Sequence, residues 1–242
     1  METAIEHLHA LELPTPFPVG PITVYLADAP GEPLTLVDTG PLTGKTLAAL
    51  ESALARHGCA PRDLERILLT HAHVDHVGLA ADLVAASGAR VLSHPWNVPA
   101  LEDHASERQR RERFYTCILR QAGVPGDILK GVGRATDAMD GFARPVAVDA
   151  VVDEGHRLRL AGLEWQVLHT PGHAGGLICL YEPAGRTLLS SDHLLADISS
   201  NPVVEPPPPG REERLPSLVV YQASLQRVAA MKVARALPSH GP

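Results

Sequence analysis

Apolar positions along this chain follow two rhythms, and the switches between them mark the elements. "ITVYLAD" (22–28) and "LTLVDTG" (34–40) are β-rich apolar runs split by the turn formers of "APGEP", which predicts an early hairpin or meander. In "LTGKTLAALESALARHG" (42–58) the period lengthens. Leu47, Leu50 and Leu54 fall at helical spacing and Gly58 supplies a C-terminal stop, so a helix is predicted. "LERILLT" (64–70) reads as a short buried strand, "GLAADLVAASGA" (78–89) as a helix and "RVLSH" (90–94) as another strand. A strand, loop, helix, strand order predicts an α/β layered fold with ligands at the carboxyl ends of the strands.

Residues 96–146 interrupt this pattern. "EDHASERQRRERFYTCILRQAG" and "PGDILKGVGRATDAM" have helical character with one charged side, and are read as a helical insertion within a single domain spanning 1–242. The segment "RQRRER" (108–113) reads as a solvated helix face rather than a polyanion contact. Strands return in "HRLRLAG", "LEWQVLHT", "LICLYE" and "TLLSSD", separated by Gly- or Pro-containing turns. A proline-rich loop, "NPVVEPPPPGREERLP" (201–216), then leads to a final predicted helix, "SLVVYQASLQRVAAMKVARA" (217–236).

At 242 residues, with 45% hydrophobic and 20% charged positions, the chain can bury a sizeable core, which excludes wholesale disorder. The formal charge of -7 gives no overall attraction to nucleic acid or an anionic membrane, so the expected partner is a small molecule. Cys59, Cys117 and Cys179 are far apart and form no C-x-x-C pair; they predict buried thiols in a reducing compartment, not a disulfide framework or thiolate zinc site. The N-terminal twenty residues carry acidic groups where a signal peptide is basic, and no stretch approaches the ~20 apolar residues that span a bilayer. A cytoplasmic protein is expected.

The chemistry concentrates in "LLTHAHVDHVGL" (68–79), which crowds three histidines and an aspartate directly after an apolar run. With 13 histidines in the chain, H-x-H-x-D-H should arise by chance in roughly one such sequence in five hundred. His71 and His73, at i and i+2, point the same way if the chain leaves the strand extended, while Asp75 and His76 diverge as it turns into a helix. One loop can therefore serve two metals. Imidazoles and carboxylates suit zinc, and also iron or manganese. Four ligands cannot complete two metal spheres, and further donors occur elsewhere: His173 in "HTPGHAGG" and Asp192 in "LLSSDHLL" after predicted strands, and His240 in "LPSHGP" after the last predicted helix.

With "LVDTG", "THAHVDH", "HTPGH", the strand-borne aspartate and "SHGP" in this order, the sequence resembles the metallo-β-lactamase-fold metallohydrolases, in particular glyoxalase II-like and lactonase-like members. The resemblance implies a four-layer αβ/βα sandwich with the site along one edge. Carried over residue by residue, it implies that His71, His73 and His173 hold one divalent metal, that Asp75, His76 and His240 hold a second, and that Asp192 bridges them. Asp38 would orient a ligand from beneath, although on its own it reads equally as a turn cap. The implied reaction is hydrolysis of an ester, thioester or lactone by a water that two cations, zinc first among them, bring towards ionisation at neutral pH, with Asp75 steering the nucleophile or returning a proton.

The rival readings are a mononuclear iron enzyme of the persulfide dioxygenase kind and a non-catalytic metal-binding member of the fold; complete second-site residues favour two metals. Two positions depart from the family pattern, Ser191 and Ser239, where glycine is usual and close backbone approach is expected. The sequence stops two residues past His240, which predicts a shortened chain and a frayed last ligand. His94, His169 and His193 read as structural histidines. Phe114 and Tyr115 place aromatic surface in the insertion, which predicts an apolar wall over the metal edge, with the prolines at 206–209 stiffening a loop near the same mouth.

Overall fold

The protein is described from a computed structural model over residues 5–129, 139 and 141–241. Most of the predicted helix at 125–139 lies outside the described residues. Two sheets carry the architecture. The first has six strands in sequence order: β1 (Leu8–Leu13), β2 (Ile22–Ala27), β3 (Thr35–Val37), β4 (Arg66–Leu69), β5 (Arg90–Ser93) and β6 (Ala150–Val151). The second is ordered β11-β10-β9-β8-β7, from β7 (Arg157–Leu160), β8 (Leu163–His169), β9 (Ile178–Glu182), β10 (Thr187–Ser191) and β11 (Arg235–Pro238).

Period-two side-chain alternation explains the layers. On β2, Ile22, Val24 and Leu26 face a cluster shared with Leu50 and Leu54 of α1 (Gly44–Arg56) and Leu83 of α3 (Ala80–Ser87). Tyr25 and Ala27, on the other face, join Leu68, Trp165, Val167, Ile178 and Leu180 in a core between the sheets. Across the second sheet, Leu168, Cys179 and Leu188 pack against Val228 of the last helix, Ser217–Ala229. Helix, sheet, sheet and helix thus stack as the four-layer sandwich, with central strands such as β2, β4 and β10 buried on both faces.

Several boundaries differ from the sequence reading. The final helix stops at Ala229, and Arg235–Pro238, read as its last turns and tail, is a strand parallel to β10. Tyr25 Oη donates to the Pro238 carbonyl at 2.7 Å and secures that strand from the other sheet. β1 and the two-residue β6 were not anticipated. The insertion begins as α4 (Val98–Glu102) and α5 (His104–Gln121), the latter capped by Asp103 accepting from Ser106 N–H. The three cysteines form no disulfide, but only Cys179 is buried, Cys59 being half-buried and Cys117 exposed on α5, against the expectation of three buried thiols; no helix among the described residues is long and apolar enough to cross a membrane.

Candidate metal centre

Every chemically interesting residue sits where a strand runs out. Asp38 follows β3, Thr70 and His71 follow β4, His73 caps the one-turn α2 (Val74–Val77), and Asp75 and His76 lie within it. From the second sheet, His173 sits in the turn between β8 and β9, Asp192 follows β10 and His240 follows β11. β3, β4 and β5 are mutually parallel, as are β10 and β11, so their carboxyl ends gather at one edge of the sandwich.

There the seven expected side chains converge. His73 Nδ1 lies 3.0 Å from both His71 Nε2 and His173 Nε2. His240 Nε2 is 3.4 Å from Asp75 Oδ2, and His76 Nε2 is 3.9 Å from that oxygen. Asp192 stands between the groups: Oδ2 is 3.4 Å from His173 Nε2 and 3.5 Å from His76 Nε2, while Oδ1 is 3.7 Å from His240 Nε2. Three overlapping donor sets have all their atoms within 4.8 Å: His71, His73 and His173; His71, His76 and Asp192; Asp75, His76 and His240.

The outward nitrogens explain why the inward ones are free. His76 Nδ1–H donates to Asp38 Oδ2 at 2.8 Å, His173 Nδ1–H to the Asn201 carbonyl at 2.9 Å and His240 Nδ1–H to the Pro21 carbonyl at 2.8 Å. Each bond occupies the outward nitrogen, so Nε2 is the atom presented inward. His240 is therefore a held side chain, 1% exposed, and the expected fraying does not occur.

Electrostatics sort the cluster into two parts. Burial, followed by crowding from neighbouring imidazoles, holds His71 well below its ordinary pKa and brings His73 down to about 3; burial also lowers His173. These three are neutral, as a cation requires of imidazole ligands. Burial alone would lower His76 and raise Asp75. Instead Asp192, Asp38 and Asp75 hold His76 well above its usual value, and the surrounding histidines bring Asp75 down to about 2. Burial opposes charge on His240 too, but Asp75 and Asp192 raise its pKa.

A fit test for metal follows from hydrogen-bond accounting. His76 Nε2, Asp192 Oδ1 and His240 Nε2 are buried without a hydrogen-bond partner among the described residues. An orphaned buried polar atom costs about 1–3 kcal/mol, and three of them aimed into one space are what a cation would satisfy. The donors, imidazole and carboxylate without thiolate, fit divalent metals of the zinc, iron and manganese kind.

Ser191 takes up the conformation for which glycine is usual, with φ of 47°. Its hydroxyl completes a relay beneath the site. Ser239 Oγ donates to Ser191 Oγ at 3.3 Å; Ser191 Oγ and Thr70 Oγ1 are 2.8 Å apart; Thr70 Oγ1 donates to Asp38 Oδ2 at 2.8 Å. The two departures from the family pattern thus touch each other and join the Asp38 carboxylate that orients His76. Asp38 also accepts from Thr70 N–H at 2.8 Å, so it is a ligand-orienting group rather than a turn cap. Thr70 was missed, although its place immediately before His71 was the available signal.

A pocket opens beside His73, with walls that include Trp96, Tyr115, Arg110, Arg111, Glu107 and Glu205. The insertion thus borders the metal edge as expected, together with Pro206, Pro208 and Pro209, but the wall is polar as well as aromatic. Phe114 faces a neighbouring groove. Arg110 is not part of a solvated face: it makes two bonds to Glu107, at 2.7 and 2.8 Å, and donates to the Pro207 carbonyl. Glu205, which nothing in the sequence marks, accepts from Gly175 N–H at 2.6 Å, and burial raises its pKa.

His94 and His169 are structural, as read. His94 Nδ1 accepts from Trp96 N–H and its Nε2–H donates to Asp153, while His169 Nε2–H donates to the Gly175 carbonyl. The rings stack 4.0 Å apart behind Trp96. His193 is buried edge-on against Tyr221.

Fold and donor geometry together define a class, and comparison with known proteins agrees: residues 17–240 match the metallo-beta-lactamase superfamily, to which the chain belongs. It is 36% identical over 98% of its length to a probable metallo-hydrolase, YqjP, of Bacillus subtilis, spanning 72% of that protein. A hydroxyacylglutathione hydrolase of Pseudomonas aeruginosa is 29% identical over 68% of this chain, which spans 43% of that enzyme. Among solved structures, a metallo-beta-lactamase family protein from Thermus thermophilus superposes with a TM-score of 0.82 at 29% identity, covering 98% of this chain and 74% of that one.

Proposed function

We propose that the protein is a dinuclear metal-dependent hydrolase that cleaves an ester, thioester or lactone of a small molecule. The observation that carries this reading is the second donor set: Asp75, His76 and His240 meet beside a complete three-histidine set, with Asp192 between them. A mononuclear iron site would leave His76 Nε2 and His240 Nε2 buried without a use. The likeness to a hydroxyacylglutathione hydrolase supports an acyl substrate.

The residues divide the work. His71, His73 and His173 would hold one cation, Asp75, His76 and His240 the other, and Asp192 both. Bound there, the pair would supply Lewis acidity, lowering the pKa of water towards neutrality and polarising a carbonyl, with zinc the metal that best fits the donors. Asp38 keeps His76 in its Nδ1–H tautomer. Asp75, held ionised by His76 and His240, is placed to orient the attacking oxygen and to pass its proton to the leaving group. The pocket walled by Trp96 and Tyr115 receives the acyl portion.

The test is a panel of thioester, lactone, aryl ester and phosphodiester substrates assayed with zinc, manganese and iron, beside His73→Ala. Expected are two metal equivalents at this centre, lost with its donor residues, and turnover of an acyl substrate that His73→Ala abolishes. A single iron with oxygen consumption, or cleavage of the phosphodiester alone, would overturn the proposal.

A further inference from the structure

Away from the metal edge, a second group of imidazoles surrounds one carboxylate. Asp28, just past β2, lies 3.1 Å through Oδ1 from His7 Nδ1 and 2.9 Å through Oδ2 from His9 Nε2. His57, at the C-cap of α1, stacks on His9 with ring centroids 4.1 Å apart. One ligand atom each from His9, Asp28 and His57 lies within 4.8 Å of the others. The groups come from three segments separated widely in sequence, so only the folded chain assembles them.

We infer that His9, Asp28 and His57 form a separate divalent transition-metal site that fastens the edge strand β1 to the end of α1, with His7 orienting the Asp28 carboxylate. Two imidazoles and a carboxylate, with water as a fourth ligand, make a donor set that zinc takes in tetrahedral geometry, with bonds of about 2.0–2.2 Å. Such bonds require donors closer than the present spread, and exposed His57 has the freedom to close it. The contrast with His94, Asp153 and His169, the other such group away from the metal edge, is chemical. There one nitrogen of each ring is committed to the backbone, His94 Nδ1 to Trp96 N–H and His169 Nε2–H to the Gly175 carbonyl, and those bonds fix both imidazoles. Here His57 makes no ring hydrogen bond among the described residues, and His9 bonds only Asp28, which would be its companion ligand.

β1 is an edge strand, paired only to β2. Its far end holds Leu11 and Leu13 in the core over α1, so a cation bridging His9 and His57 would lock the same two elements from the surface side. A ligand bound only by the folded form raises stability in proportion to the logarithm of its concentration over Kd.

The experiment counts zinc. Wild type and a His9→Ala/His57→Ala double variant are loaded with zinc, passed through gel filtration and measured for metal per chain, with circular dichroism to verify folding. The double variant should carry one equivalent fewer and keep the wild-type turnover of whichever substrate the panel identifies. A second arm uses His71→Ala/His73→Ala protein, in which the first donor set of the main centre is gone. Zinc should still raise its Tm, and adding His57→Gln, a change at an exposed position, should weaken that response at least tenfold in zinc concentration. Equal zinc counts, or an unchanged zinc response on adding His57→Gln, would overturn the inference. Both arms read a difference at the surface residues alone, so their result is independent of whether the main centre holds one metal or two.

Discussion

Replacing Asp38 by asparagine changes one oxygen to an NH2 at a position 3% exposed, and its consequences can be followed atom by atom. Oδ1 accepts Thr70 N–H, while Oδ2 accepts both Thr70 Oγ1–H and His76 Nδ1–H. With the amide oxygen at the Oδ2 position, the NH2 faces a backbone N–H and one buried donor goes unpaired, at a cost of about 1–3 kcal/mol. With the amide reversed, the NH2 faces His76, which answers by moving its proton to Nε2 and so withdraws the lone pair proposed for the second cation. Either way the metal-free protein loses about 1–3 kcal/mol, and the reversed form weakens the second metal by about 10–100-fold, the usual penalty for losing a group that orients a ligand. Urea denaturation of the metal-free protein reads the first quantity and zinc titration against a chromophoric chelator reads the second. If Asp38→Asn binds as many zinc equivalents as wild type and with unchanged affinity, Asp38 does not govern the His76 tautomer and the reasoning fails.

Other outcomes follow from single features. His94 is lowered from 6.5 to about 4 by burial, then by His169, with Asp153 opposing; the unfolded chain therefore binds the proton first. Stability is full above pH 6.5 and falls by about 3 kcal/mol as pH drops towards 4, a slope in the urea midpoint that His94→Asn, which can still cap Trp96 N–H, should flatten. Ser191→Ala keeps the left-handed backbone strain and loses the hydroxyl relay, whereas Ser191→Gly loses the relay but relieves the strain, so thermal unfolding should find the alanine variant less stable by about 1–2 kcal/mol. Gly172, at φ of 141°, packs against Tyr221 of the last helix so closely that a Cβ would collide with its Cα and Cβ. Gly172→Ala should cost about 1–3 kcal/mol and, by displacing the turn that carries His173, lower metal occupancy of the first donor set; unaltered metal content would count against that coupling.

What could be read from the sequence depended on range. β2, β4 and β7 to β10 announced themselves because apolar runs bounded by turn formers are local signals, and α1 because its leucines recur at helical spacing. The seven candidate donors were legible because four crowd into residues 71–76 and the other three stand beside turn formers in short motifs of their own. β11 was not: "VARAL" is composed of fair helix formers, and what makes it a strand is pairing with β10 and the bond from Tyr25, 213 positions away. β1 hid for a similar reason, since its burial shows no strict alternation and its order depends on β2. The Ser239, Ser191, Thr70 and Asp38 chain joins four separate strand ends, a geometry that no window of sequence contains. Glu205 was invisible because only the folded loop carries it to Gly175.

The metal edge lies across the seam of the sandwich, with His71 to His76 fixed to one sheet and His173, Asp192 and His240 to the other. The two sheets are therefore the jaws of a calliper, and the gap between the donor sets is dictated by whatever fills the space between them, Tyr25 and Trp165 above all. Tuning of the donor spacing is thus open to residues that never approach it, with the aromatic filling of the interior serving as its gauge block.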